Sequence, residues 1–452
     1  MNTSKSNSKS KFKQKQNKVE LLLLILYVIG FYIFCIHRSL HLSRGTCCLS
    51  SFFLNFLLGL FTYTWSVIFC KFNCLFAADH FSKLRGLRIG WLFSPPRLND
   101  ASDDQWRNFR TNLPILSLVF GIFTLLANIF RKLFHLRARG MSFLWLFLSL
   151  IYLSYLHGAW FSCYDALQLD VPQNHYSIKE VIWYGLRWVF GLCLMELMTH
   201  LFYFNAFATS ASWKMLSPMD IFIIGYGVIN FMWLKFFLIW RFFRFCSLIA
   251  GIEAPENMPK CVNNCHDLES FWKSWHASFN KWIVRYMYIP LGGSQRKLLN
   301  IWVIFTFVAV WHDLEWKLLS WAWLTCLFFV PELLVKSATN AFQAKGALDG
   351  FIFRELRAAG GTITITCLMV ANLVGYVIGP SGFSWLISQF LSKEGLNVFG
   401  FMLLTFYVGT KVNGIRHLYF TLHLVGRTEE KGQGEKKKII QRLKYKIEQV
   451  LS

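Results

Sequence analysis

This sequence predicts an all-α, polytopic membrane protein, and three observations carry that prediction. Only 16% of its 452 residues are charged and 55% are hydrophobic, whereas roughly 25% are charged in an ordinary soluble domain. The polar surface needed to cover a water-soluble globule is missing. Apolar windows close to the about 20 residues a helix needs to cross hydrocarbon recur along the chain. The formal net charge of +23 collects in the tails and between those windows. Charge placed that way orients spans and attracts anionic head groups. It is not organised for nucleic acid, which is excluded as a partner.

The elements follow in order. Residues 1–18 contain six lysines and no acid, so a disordered basic tail is expected, cytosolic by the positive-inside bias. The Asn2-Thr3-Ser4 sequon would then go unused. No cleavable leader is expected, because Val19–Ile36 has span length and no small-residue cleavage site follows it. Ten windows read as spans: 19–36, 46–70, 111–130, 140–164, 181–204, 221–240, 298–312, 318–335, 360–380 and 396–410. An architecture of about ten membrane helices plus re-entrant or interfacial helices results, one membrane domain over 19–425 with a charged tail over 426–452. The stretch Ala358–Ser392 is uncharged for 35 residues, enough for one long tilted span or a span plus a re-entrant piece, which length alone does not decide. Basic loops at 71–110 and 131–139 lie one window apart, against strict alternation of sides. The twelve cysteines are scattered, many inside apolar runs (Cys35, Cys70, Cys163, Cys193, Cys326 and Cys367). That scatter predicts buried thiols and no disulfide framework.

Chemistry concentrates between Arg241 and Glu315. Trp272, Trp275, Phe279, Trp282 and Tyr286 recur at spacings of 3, 4, 3 and 4, which predicts one helix with an aromatic stripe over 271–290. On that helix His276 and Asn280 would share an adjoining face, with Lys281 and Arg285 beside them. Pro290, Gly292 and Gly293 end it. An amphipathic anchor at the membrane surface explains this pattern as well as a site does. The apolar run Leu298–Trp311 leads directly into His312-Asp313-Leu314-Glu315. Ionisable groups at the end of a span usually face a cavity or mark function, although a helix end reaching water would also solvate Asp313 and Glu315. Glu196 and His200, four apart in another window, are expected to make a helix–helix hydrogen bond.

Two of these segments resemble a known family. Phe271-Trp272-Lys273-Ser274-Trp275-His276-Ala277-Ser278-Phe279-Asn280-Lys281-Trp282, followed by Tyr288-Ile289-Pro290-Leu291-Gly292-Gly293, resembles the first signature of the membrane-bound O-acyltransferases. Val310-Trp311-His312, 36 residues after His276, resembles the second. Trp240–Arg244 and Pro255–Cys261 resemble the branch named for glycerol uptake, related to hedgehog acyltransferase. The matched stretch covers about 80 of the 452 residues; elsewhere the chain agrees only in having many spans.

The resemblance implies transfer of a fatty acyl group from acyl-CoA to a hydroxyl inside a membrane-buried tunnel. His312 would be the catalytic histidine, with His276 in support. Asn280, Lys281, Arg285 and Asp313 would be supporting or substrate-binding residues, the two cations meeting phosphates of CoA or lipid. Imidazole, with an ordinary pKa of about 6.5, is suited to accept a proton from an alcohol as it attacks a thioester. A donor from His276 or Asn280 could stabilise the oxyanion. No metal site and no required cofactor are implied. Cys261 lies where the hedgehog-type branch has a cysteine able to ligate haem, which makes it a candidate haem ligand. The implied partners are membrane lipids, acyl-CoA, and a lipid or lipid-anchored acceptor, a lysolipid or a lyso-glycosylphosphatidylinositol anchor, in the endoplasmic reticulum. Alternatives are protein acylation of the hedgehog type, against which histidine at 276 argues because that branch carries aspartate there, a glycerol transport-related protein, and an idle scaffold. Transporters often show paired halves, and no such repeat is visible.

Overall fold

The computed structural model describes residues 2–42, 84–94, 97–134, 140, 147, 176–210, 216–251, 253–265, 267–344 and 350–429. The expected windows at 46–70 and 140–164 lie wholly or almost wholly outside these residues. Apart from one small hairpin the described chain is helical: α1 (Asn2–Leu42), β1 (Leu87–Ile89), β2 (Leu98–Asp100), α2 (Asp104–Leu133), α3 (Ile178–Leu201), α4 (Phe204–Thr209), α5 (Pro218–Ile249), α6 (Leu268–Ser274), α7 (Ala277–Ile283), α8 (Lys297–His312), α9 (Trp316–Ala344), α10 (Gly350–Leu373), α11 (Gly379–Leu391) and α12 (Lys393–Glu429). Among the described residues seven segments are long and apolar enough to cross a membrane: Val19–Leu40, Asp104–Phe130, Ile178–Leu201, Pro218–Ile249, Trp316–Leu334, Ala358–Leu391 and Lys393–Val412. The protein is a multi-pass membrane protein.

Several helix starts are written locally. Asp103 caps α2 by accepting from the Trp106 backbone N–H at 2.7 Å. Ser177 and Glu180 form a capping box, with the Ser177 N–H donating to Glu180 Oε2 at 2.8 Å and the Glu180 N–H to Ser177 Oγ at 3.4 Å. Pro218 at the first position of α5 follows Ser217, whose Oγ accepts from the Asp220 N–H at 3.3 Å.

The structure bears on the sequence expectations in four places. The helix that carries the first span begins at Asn2, so residues 2–18 form the start of α1. The run at 298–312 forms a helix of 16 residues, about 24 Å at 1.5 Å per residue, and is not among the span-length helices. The long uncharged stretch is helical over Ala358–Leu391 and long and apolar enough to cross a membrane, with a π-turn at Val374–Ile378 and Gly379 at φ +68° within it. The last helix runs from Lys393 to Glu429.

The chain divides into two compact units, residues 1–85, 201–230 and 260–452 in the first, 86–200 and 231–259 in the second. In the first unit α1 meets α12 through Tyr27 Oη and Thr405 Oγ1 at 3.0 Å, and Lys411 reaches Glu20 at 2.7 Å and Glu355 at 3.0 Å. Arg38 holds the buried Asp220 by two hydrogen bonds of 2.6 and 2.9 Å. The second unit has an apolar core of Trp106, Phe109, Trp188, Met195, Phe231, Leu234, Leu238 and Phe242. There the segments that carried the upstream resemblance meet structurally. Arg241 Nε donates to Glu256 Oε1 at 3.0 Å, Arg244 Nη1 lies 3.5 Å from Glu256 Oε2, and Tyr184 Oη donates to the same carboxylate at 3.2 Å.

The π-turn is a packing device. A Cβ placed on Gly375 would lie 2.7 to 2.8 Å from Cβ, Cδ1 and Cγ of Trp321, a side chain only 2% exposed. Gly375→Ala is expected to destabilise the protein by about 1–3 kcal/mol through overpacking, read as a lowered thermal midpoint in detergent; an unchanged midpoint would show that Trp321 moves freely.

Candidate active site

The predicted helix over 271–290 is broken at its centre. Asp267 caps α6 by accepting from the Ser270 N–H at 2.8 Å. Trp275 closes that helix in an extended conformation, its N–H on the Phe271 carbonyl at 2.8 Å. His276 then adopts φ 50°, ψ 56°, and is the one non-glycine residue at positive φ among the described residues. A residue with a Cβ pays a steric cost in that region, and such strain gathers at functional sites. His276 is therefore the N-cap of α7 and no member of a continuous helix, so the fourfold spacing does not place it on the face of Asn280. The aromatic stripe divides accordingly. Trp272 packs at 5.2 Å from Phe305 and 5.6 Å from Trp321, while Phe279 stacks on Trp311 at 4.5 Å and on Trp282 at 6.1 Å.

The break brings the two histidines into one aromatic cluster. The His276 ring is 5.3 Å from Phe279 and 6.4 Å from Trp311, and Trp311 is 4.7 Å from His312. His312 ends α8 and packs 6.2 Å from Trp321. The imidazoles are near enough to feel each other's charge. Burial pushes the His276 pKa down to about 4, with repulsion from His312 adding to the shift and contact with its own backbone opposing it. His276 is thus neutral at physiological pH, able to donate from one ring nitrogen and accept at the other.

Two polar residues hold this geometry, and neither was singled out from sequence. Glu332, on α9, is buried and accepts from the Leu268 N–H at 2.7 Å and the Glu269 N–H at 3.4 Å. Its Oε2 also takes the Thr364 hydroxyl of α10 at 3.4 Å. A carboxylate at the start of a helix satisfies N–H groups that have no partner within the helix, so Glu332 fixes α6 just before its chain turns through His276. The signal was present: an acid beside Pro331 inside an apolar run is costly unless bound. Asn300, on α8 and 1% exposed, donates from Nδ2 to the Gly293 carbonyl at 2.9 Å and the Tyr288 carbonyl at 3.5 Å. It ties the end of the first motif to the helix that carries His312.

The remaining predicted residues are distributed less tightly. Asn280 lies within α7, half-buried. Lys281 and Arg285 are exposed, Arg285 5.9 Å over the Tyr286 ring. Asp313 is exposed beside His312 and accepts from the Leu314 N–H at 2.8 Å. His312 is itself exposed, so the described residues do not close the expected tunnel around it. A cavity of about 170 Å³ does exist in the same unit, lined among others by Tyr27, Phe31, Tyr226, Asn263 and Met369, but it includes neither histidine. Cys261 does not line it either; its carbonyl accepts the Cys265 thiol at 3.6 Å.

Comparison with known proteins places these residues in context. The family model for MBOAT, the membrane-bound O-acyltransferase family, matches residues 18–370. The chain is 40% identical over 213 residues to the membrane-bound O-acyltransferase GUP1 of Saccharomyces cerevisiae, covering 47% of this chain and 37% of that protein. It is 38% identical over 236 residues to GUP1 of Millerozyma farinosa, covering 52% and 46%. A more distant relative is the protein-cysteine N-palmitoyltransferase HHAT of Mus musculus, 27% identical over 224 residues, covering 46% and 44%. The chain spans less than half the length of these curated relatives.

Two measurements test the site's construction. Glu332→Ala leaves α6 N–H groups unsatisfied at a cost of about 1–3 kcal/mol, whereas Glu332→Gln, which keeps an acceptor, should recover most of the loss; equal melting of both variants would remove the capping role. For His276 the folded pKa lies below the ordinary value, so the unfolded chain binds the extra proton between them. The stability this neutral histidine contributes is complete above about pH 6.5 and declines as pH falls toward about 4. His276→Gln should flatten that part of the stability–pH curve, and an unchanged slope would assign the acid sensitivity to other groups.

Proposed function

The chain belongs to the membrane-bound O-acyltransferase family, and from that premise we propose that it transfers a fatty acyl group from acyl-CoA to the hydroxyl of a lipid acceptor. The observation that carries this reading is the meeting of His276 and His312 around Trp311. It joins the two motifs through a strained backbone that ordinary packing would not require.

In the proposed step the acceptor hydroxyl oxygen attacks the thioester carbonyl carbon while an imidazole nitrogen of His312 takes the hydroxyl proton. The C–O bond forms and the carbonyl electrons move onto oxygen. When that intermediate collapses, the C–S bond breaks and the proton passes from His312 to the departing CoA sulfur. The products are the ester and the free thiol, and His312 returns to its neutral form. His276, neutral through the physiological range, offers an N–H to the transient oxyanion without adding a second positive charge beside His312 as it becomes protonated. Exposed Lys281 and Arg285 supply positive charge for phosphate groups of CoA or of the acceptor.

The acceptor is read as a lysolipid or the lyso form of a glycosylphosphatidylinositol anchor, and the site of action as the endoplasmic reticulum. The named O-acyltransferase relatives support hydroxyl acceptance. The cysteine-acylating relative is less similar, and histidine at 276 stands where its branch carries aspartate.

His312→Ala in purified, reconstituted protein should abolish acyl transfer from palmitoyl-CoA to lysolipid while acyl-CoA still binds. Turnover within tenfold of the parent would remove the base assignment. His276→Ala should lower kcat by roughly 100-fold, the loss expected on removing one oxyanion donor; a loss as complete as that of His312→Ala would shift the principal role to His276. Lipid profiling after deletion should reveal one accumulating lysolipid.

A further inference from the structure

The cavity of about 170 Å³ in the first unit includes neither histidine and takes no part in the proposed acyl transfer. Four span-length segments wall it: Phe31 comes from Val19–Leu40, Tyr226 from Pro218–Ile249, Met369 from Ala358–Leu391 and Phe406 from Lys393–Val412. The short turn Val262–Asn264 completes the lining. No charged side chain is among these lining residues. An ionised carboxylate or phosphate placed there would lose its hydration and meet no cation in return. Fatty acids, phospholipid head groups and the CoA moiety are therefore excluded as occupants.

Room is kept open on one wall. Gly409 lines the cavity, and a Cβ placed on it would meet nothing within 4 Å. It lies inside α12, where only proline is a poorer helix former than glycine. Gly375 differs, since Trp321 demands it. Packing gives no reason for glycine at 409; a body lying against α12 does. The space suits one end of a lipid. An apolar cavity of about 150 Å³ accepts a benzene ring, so a single ring or a short length of chain fits here while the rest of the molecule stays in the bilayer.

The lining also leaves one hydroxyl proton unplaced. Thr405 Oγ1 donates to the Phe401 carbonyl at 2.8 Å, so the 3.0 Å bond between Tyr27 and Thr405 is donated by Tyr27 Oη. Tyr32 Oη and Tyr226 Oη lie 3.1 Å apart. One of their two protons forms that bond, and the other has no acceptor among the described residues. Asn263 Nδ2 donates to Asn230 Oδ1 at 2.8 Å and fixes the turn against α5 beside the pair. Tyr32 is 41% exposed on a span, which opens this edge toward hydrocarbon, where a hydroxyl without a partner is costly. A ligand oxygen that accepts the unplaced proton removes that cost.

We propose that this cavity binds the hydroxyl-bearing end of an uncharged membrane lipid, a sterol or a long-chain alcohol. The ligand's hydroxyl oxygen accepts from the Tyr32–Tyr226 pair, and its apolar body lies against Gly409 and Met369. Three observations agree on that chemistry: a lining without charge, room reserved over Gly409, and a donor lacking an acceptor on an otherwise apolar wall. The proposal does not rest on the acyl-transfer reading.

The test incubates the full chain, in phosphatidylcholine nanodiscs, with cholesterol or octadecanol carrying a photoactivatable diazirine. After irradiation, peptide mass spectrometry is expected to place adducts of at least one probe on cavity-lining residues, the stronger reactor naming the source. That probe should be displaced by its unlabelled parent and not by palmitate. Gly409→Leu fills the cavity and should cut the adducts about tenfold or more without lowering the thermal midpoint. Met369→Trp fills it from α10 should the first variant fold poorly. Tyr32→Phe combined with Tyr226→Phe should weaken binding about three- to tenfold, the effect of one lost hydrogen bond, and leave binding of the analogue that lacks the hydroxyl unchanged. Cavity adducts from neither probe, equal displacement by palmitate, labelling that survives both filling variants, or an equal loss for the analogue without a hydroxyl would each overturn the proposal.

Discussion

A polar group surrounded by apolar side chains has to find its partner within the protein. That constraint organises the structure around the two histidines. Glu332 lies in a span and cannot rely on water, so it binds the open N-terminus of α6. Asn300, buried in the helix leading to His312, binds the carbonyls that follow the first motif. Each interaction satisfies an expensive buried group and at the same time fixes one end of the segment that carries His276. Between the two held ends the chain turns sharply at His276.

The same principle shapes the second unit. Asp103 caps α2 and also receives Lys235 at 2.7 Å, while Glu256 gathers Arg241, Arg244 and Tyr184. Removing one partner from such a cluster costs more than the pair is worth, because the survivor remains buried and unsatisfied. Arg241, Arg244 and Glu256 of the upstream segments are engaged in this network, whereas Lys281 and Arg285 are exposed.

Strain and packing complement each other at the aromatic cluster. Trp311 separates the two imidazoles, Trp321 supports His312, and the π-turn at Gly375 makes room for Trp321. π-turns recur at functional positions because they displace a helix face without ending the helix. Here the displacement occurs in the longest uncharged span, where an ordinary turn would expose backbone groups to hydrocarbon. The site thus rests on backbone irregularities that remain internally hydrogen-bonded.

Composition and hydropathy by themselves determined the class of protein, because membrane spans are a property of consecutive residues and need no tertiary information. The two motifs, and the histidine in each, were legible for the same reason: Trp275-His276 and Trp311-His312 are local strings. Tertiary structure alone decided how they act together. The spacing of Trp272, Trp275, Phe279 and Trp282 fits one continuous helix perfectly well, and only the structure shows the break at His276, flanked by tethers from Glu332 and Asn300, 64 residues beyond Leu268 and 7 beyond Gly293. Likewise, the i,i+4 pair Glu196 and His200 announced a polar contact, but its partners, Arg110 and Asn99, come from segments about 86 and 101 residues earlier. Periodicity records which face a residue occupies; which distant group meets that face is settled by burial, where every unpaired polar atom must be satisfied.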